Sequence, residues 1–494
     1  MTDRSLLRWC MGAGLLVCAG CFDGRDALGL PCEKDFQCGN GQVCASGVCA
    51  WPGDVMGSDS TTEATEATEA TEATEATEAT TSASSGTTSS SSTTTTGGPG
   101  PNSSCLDGGK FISREISIDG SGNPMSVAAG RFSMDDETDV AVLTRSPARL
   151  SVFRFDGASF QLLNDADIGI QPMDLAVGSL DDDAFDDVVV VDGGDDLAHV
   201  TLFWGAPAGL FSEVQTSFDQ SIAFPYSVGI GRMLAAGGPQ FVVSSGTSGN
   251  GSVLFRMVGR QPERVSTSVG VSPSPWDTVL VDLDGADPLE ALVVGSNDAG
   301  LDAGSFPGSD HVHLFEGSGG ALSRFQALDA AHSPFGVDAG DLDGDGIPEV
   351  LVVGKNIDMP AEVPEKSNNP SEISICSRDS FEEALVCETW EPGPDHIGYS
   401  NVRLADLDAD GELDAVIGTS GGTEPLDGQL LVAWGPLSPD FVPVELADTG
   451  SIGNKMAIAD VTGNGALDIV VPLYGSEGGT QGIVRVYSCE EERS

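Results

Sequence analysis

VDAGDLDGDGIPEVLVVG, residues 337–354, decides the fold. A short apolar segment runs into an Asp/Gly-rich turn, and a Val/Leu-rich segment follows. Short apolar runs bounded by Gly and Asp are strand signals, and amphipathic helical periodicity is absent. The same unit recurs as VRLADLDADGELDAVIG (402–418), VLVDLDGADPLEALVVG (279–295) and AIADVTGNGALDIVVP (457–472). Weaker copies are LAVGSLDDDAFDDVVVV (175–191) and VAAGRFSMDDETDVAVL (127–143), and a worn one is VGIGRMLAAGGPQFVVS (228–244). The seven turns start at 131, 179, 232, 282, 341, 406 and 460, so successive starts lie 48, 53, 50, 59, 65 and 54 residues apart. Each interval accommodates four short strands with loops, and a further strand ending in Gly follows most turns, as in HVTLFWG and HVHLFEG. Seven such sheets, packed radially, leave few free edges. The reading is an all-β, seven-bladed β-propeller over 105–490.

The last unit supplies only three strands before the chain ends, and the missing fourth is available in FISREISID at 111–119. Pairing it with the last unit closes the ring. Cys105 and Cys489 then flank the closure and are expected to form a disulfide, which restricts the unfolded chain strongly because the loop is long. Cys376 and Cys387 fall on consecutive strands of the fifth unit and are expected to bridge them.

The acidic turns read as calcium sites. Unit five offers Asp341, Asp343, Asp345 and Glu349, and unit six offers Asp406, Asp408, Asp410 and Asp414. Calcium takes six to eight oxygen ligands. Carboxylates at alternate positions of a tight turn can converge, Gly at position six permits the reversal, and Ile347 or Glu412 at position seven can add a main-chain carbonyl. An EF-hand is excluded, because a Val/Ile strand begins at position ten where a helix and a distal Glu would be required. The alternative, a merely solvated turn, leaves four carboxylates repelling without compensation. Unit seven has the weaker set Asp460, Thr462, Asn464 and Asp468; unit four has Asp282, Asp284 and Glu290; unit two has Asp181, Asp183 and Asp187. Arg131 opens the turn of unit one, and unit three has no acids in its turn.

These turns and their strands resemble the FG-GAP/VCBS repeat, as in the seven-bladed propeller of integrin α subunits. The resemblance spans roughly 105–490. It implies calcium-stiffened hairpins between the first two strands of each blade, and extracellular adhesion or binding of protein or carbohydrate.

Upstream of the propeller the composition changes. Residues 51–104 hold six Thr-Glu-Ala copies and a Ser/Thr/Gly-rich run without large apolar residues beyond Met56, so nothing offsets the entropy of ordering. A flexible, disordered spacer on the order of 40 Å is expected. Residues 21–50 contain Cys32, Cys38, Cys44 and Cys49. Their spacing is wider than zinc pairs prefer, and a segment this short needs covalent staples, so two disulfides are expected, with the pairing open. Residues 1–20 have Arg4 and Arg8 followed by an apolar run too short to span a bilayer. They end Cys18-Ala19-Gly20-Cys21, which resembles a bacterial lipobox with Cys18 in the place usual for Leu. Cys21 is the expected lipidation site, and the membrane is reached through the lipid alone.

The chain has 494 residues, 22 Lys+Arg against 76 Asp+Glu, and a formal charge of −54. Nucleic acids and anionic headgroups repel such a polyanion, whereas divalent cations or basic surfaces suit it. The functional expectation is an exported, surface-anchored binding module for an extracellular protein or glycan, not an enzyme. A polysaccharide-acting enzyme and a purely structural envelope protein are the alternatives. No nucleophile motif or histidine constellation is present. His311 and His313 are expected to be exposed strand residues, and Trp204 and Trp434 are expected to pack between blades more than to stack on sugars.

Overall fold

The computed structural model describes two short strands, Val43–Ala45 and Val48–Ala50, and residues 110–490 apart from loop segments, the longest being 297–310, 355–370 and 420–427. Expectations for 1–20, Cys21, Cys32, Cys38, 51–104 and Cys105 lie outside the described residues. The two short strands pair antiparallel with Cys44 opposite Cys49 in the backbone register. They belong to a unit spanning Met1–Ser82, separate from the unit Ala83–Ser494.

The second unit is a seven-bladed β-propeller. Each blade is a four-stranded antiparallel sheet. The innermost strands of blades one to seven are Pro124–Gly130, Pro172–Gly178, Pro225–Ile230, Ser274–Val281, Pro334–Gly340, Tyr399–Ala405 and Ala457–Ala459. Each of these packs beside the next, and the last packs against the first, so the ring is closed. Lys110–Ile116 forms the outer strand of blade seven, with Phe111 opposite Cys489 in the register. The early strand therefore closes the wheel as the sequence anticipates. Cys489 is disulfide-bonded. Cys376 and Cys387 sit opposite one another and are bonded at 2.04 Å.

The second strand of each blade is the most apolar because it is covered on both faces. Asp187–Asp192, DVVVVD, is buried throughout, as are Glu349–Gly354 and Asp468–Leu473. The core lies between blades. Val189, Val191, Leu202 and Trp204 of blade two meet Val228, Phe241 and Phe255 of blade three, and Ile116, Val470, Val484 and Val486 of blade seven meet Val127, Val140 and Val142 of blade one. Trp204 is 1% exposed, and Trp434 packs against the cluster between blades six and seven, so both serve packing. His313 corrects the expectation of exposure: it is buried at 3% on the third strand of blade four, where cross-strand partners cover it.

Candidate functional site

Every blade carries its acidic or worn turn between the first and second strands, and one contact shapes all seven. The side chain at position nine, the first residue of the second strand, accepts the buried amide of position two. Leu342 N donates to Glu349 Oε2 at 2.8 Å, Leu407 N to Asp414 Oδ2 at 2.9 Å, Leu283 N to Glu290 Oε2 at 2.8 Å, and Leu180 N to Asp187 Oδ2 at 2.8 Å. Val461 N reaches Asp468 at 2.9 Å and Phe132 N reaches Asp139 at 3.2 Å. In blade three the neutral Gln240 does the same, taking Met233 N at 2.9 Å. Position nine is therefore first a clasp, because a buried amide without an acceptor is costly. The sequence reading did not single out Asp139 or Gln240, although their place at the head of the second strand is a visible signal.

In blades four, five and six the clasp is also part of a three-carboxylate cluster. Asp282, Asp284 and Glu290, then Asp341, Asp343 and Glu349, then Asp406, Asp408 and Asp414 each offer oxygens lying within 4.8 Å of one another. Burial pushes Glu290, Glu349 and Asp414 up to about 7, and the neighbouring acids add to the effect. Such carboxylates resist ionisation until a cation joins them. Three carboxylate oxygens brought together in one turn could hold a metal ion.

Position five lies outside these clusters. Asp345 Oδ1 accepts Ile347 N at 2.8 Å and Asp410 Oδ1 accepts Glu412 N at 2.8 Å, so both acids shape the backbone. This explains why blade four, with Ala286 at position five, assembles the same cluster. Asp341 takes the amides of Gly344 at 2.8 Å and Gly346 at 2.9 Å. Gly346 has φ +88° and the equivalent Gly411 has φ +95°, a region hostile to a Cβ.

The other turns differ. In blade seven, Asp460 takes the amides of Asn464 and Gly465 at 3.0 and 2.8 Å, and Thr462 Oγ1 donates to Asp468 at 3.3 Å. In blade one, Arg131 donates its amide to Asp186 of blade two at 2.7 Å and its guanidinium to the Ala184 carbonyl. In blade three, Arg232 pairs with Asp287 of blade four. In blade two, Asp181 and Asp183 face Arg260, and burial lifts Asp187 to about 7.

A second feature occupies the far end of the inner strands. Six residues before each turn begins, the first strand slips register, between Pro225/Ser227, Pro275/Asp277 and Pro334/Gly336 in blades three to five. The bulged residues there are Tyr226, Trp276 and Phe335. Trp276 stacks on Phe335 at 4.7 Å with an interplanar angle of 16°, and Tyr226 meets Trp276 edge-on at 5.3 Å. All three are partly exposed. The sequence reading missed this ladder; its signal is Pro followed by an aromatic residue at a constant offset from the turn.

No family model matches the chain, and no curated protein matches it. Among solved structures, it is similar to a protein of unknown function from Desulfotomaculum acetoxidans at 12% identity and TM-score 0.43, covering 72% of this chain and 90% of that one. It is equally similar to the Bacillus licheniformis rhamnogalacturonan lyase PL11, at 12% identity and TM-score 0.43, covering 77% of this chain and 75% of that one.

Proposed function

We propose that this chain is an exported, lipid-anchored propeller of the FG-GAP/VCBS type, stiffened by calcium in blades four to six, that binds an extracellular glycan or protein. The observation that carries the reading is the two-ended construction of the inner strands. One end carries carboxylate clusters and the other carries a partly exposed aromatic ladder. Asp282, Asp284 and Glu290, and the equivalent acids of blades five and six, would hold calcium through their carboxylate oxygens, and the ion would supply the positive charge that offsets their repulsion. This chain's own residues hold the turns tight through the position-nine clasp, which fixes the end of each inner strand against the start of the second. Tyr226, Trp276 and Phe335 then present ring faces of the kind that pack on the apolar faces of sugars or on side chains. Cys21 would attach the chain to the membrane, and residues 51–104 would hold the propeller away from it.

The test joins both ends. Removing calcium with EGTA should lower the melting temperature reversibly, because the ion binds the native state only. An unchanged melting curve counts against the metal reading. Trp276→Ala, screened on glycan and protein arrays with calcium present, should lose retention seen with the parent chain while its calcium-dependent melting shift persists. Retention unaffected by the substitution moves binding away from the ladder, and release of shortened glycan by the parent chain would favour the enzyme alternative.

A further inference from the structure

The turn of blade two keeps acids at positions three and five, yet its surroundings differ from those of blades four to six. Position one is Ser179, whose Oγ donates to the Asp181 carbonyl at 2.9 Å, so no carboxylate stands there. Facing the turn is Arg260, from the hairpin that joins the third and fourth strands of blade three (Ser252–Val258 and Gln261–Thr267). Its Nε and Nη2 each lie 2.9 Å from Asp181 Oδ2, and Nη2 lies 3.5 Å from Asp183 Oδ2. The guanidinium also sits 5.0 Å from the centre of the Trp204 ring, a buried side chain of the same blade as the turn. Gly259, φ +58°, makes the tight turn that delivers Arg260 to this position.

We propose that Arg260 is the resident cation of this turn, in the place that the calcium reading, on which this comparison rests, gives to the ion in blades four to six. The neighbouring blades provide the comparison. The hairpin of the following blade touches the turn in blades four and five as well, but its hydrogen bonds to the turn, among the described residues, go to the position-two carbonyl. Arg378 donates to the Leu283 carbonyl, and Leu437 N donates to the Leu342 carbonyl at 2.9 Å. Neither contact fills the carboxylate cluster. In blade two the hairpin instead delivers a planar cation to two carboxylates, and the Trp204 ring holds its position by cation–π attraction. A guanidinium needs only two carboxylates, whereas calcium needs six to eight oxygens. Blade two has Ser179 at position one, where blades four to six have an acid, and Arg260 beside its turn. Its turn is therefore locked without metal, and Arg260 ties blade two to blade three.

Bound calcium per chain, measured by elemental analysis after gel filtration in calcium buffer, tests the assignment in the full chain. Arg260→Gln should hold one more calcium ion than the parent, and Asp181→Asn should hold the same number as the parent. Equal calcium in the parent and Arg260→Gln, or loss of one ion in Asp181→Asn, overturns the proposal. A double-mutant cycle of the two changes in EGTA tests the pair with no metal present, and so stands apart from the calcium reading of the other blades. Non-additive melting shifts are expected, and additive shifts overturn it.

Discussion

At the scale of single residues, the acid at position nine has two duties that substitution can separate. Gln240 shows that an amide serves as clasp as well as a carboxylate does, because the acceptor oxygen is in the same place. Glu349→Gln should therefore keep the Leu342 amide satisfied while removing a charge from the cluster with Asp341 and Asp343. Its melting temperature in EGTA should stay close to that of the parent, and it should bind calcium more weakly. Glu349→Ala should lose both duties. Its EGTA melting temperature should fall by an amount corresponding to about 1–3 kcal/mol for an orphaned buried amide. Similar melting of the two variants in EGTA would show that the clasp contributes nothing.

At the scale of the element, the turns and strands were legible in the sequence because their periods are short. Alternation of Asp and Gly in 341–346 and the Val/Leu run after it each reside within ten residues, and the structure keeps them. What escaped the sequence was set by neighbours. The presence of Arg260 at the turn of blade two and the burial of His313 both depend on a second strand or blade arriving from elsewhere, whereas Asp345 bends the backbone locally through the Ile347 amide, a use its type and spacing share with a metal ligand. His313 illustrates the energetic consequence. Burial, helped by Arg324 at 3.4 Å and by His311, pushes its imidazole down to about 3. The neutral form is thus favoured in the folded blade, while the unfolded chain takes up a proton near the ordinary pKa of 6.5. This stabilisation is fully present above 6.5 and is lost as pH falls toward 3, at up to about 1.4 kcal/mol per pH unit. Chemical denaturation of His313→Gln should show a smaller loss of stability between pH 6.5 and pH 4.5 than the parent. Equal slopes would place His313 in contact with water.

At the scale of the whole molecule, the ring is joined along its axis by buried charge as well as by apolar packing between blades. Arg403 of blade six places Nη1 3.0 Å from Asp277 Oδ2 of blade four, with side chains 10% and 3% exposed. Lys455, just before the innermost strand of blade seven, places Nζ 3.0 Å from Asp174 of blade two and 3.7 Å from Asp277. Asp338 of blade five accepts Leu404 N of blade six at 2.9 Å. These contacts cross from one blade to others around the axis, so they report on closure of the wheel and not on any one sheet. Burial pushes Asp174 up against the pull of Lys455, and its Oδ1 has no hydrogen-bond partner among the described residues. Replacing Arg403 with Met keeps much of the side-chain volume but leaves Asp277 with the Thr278 amide at 3.0 Å and, as its cation, Lys455 at 3.7 Å. Removing one partner of a buried pair costs on the order of 3–5 kcal/mol, because the other charge stays desolvated. Arg403→Met should be destabilised by that order in urea. The double change Arg403→Met with Asp277→Asn should recover part of the loss, since the carboxylate that Arg403 paired with directly is then neutral. If Arg403→Met unfolds within about 1 kcal/mol of the parent, the cost expected for a dry buried pair is absent. Water then reaches the axis, and apolar packing between blades carries the closure alone.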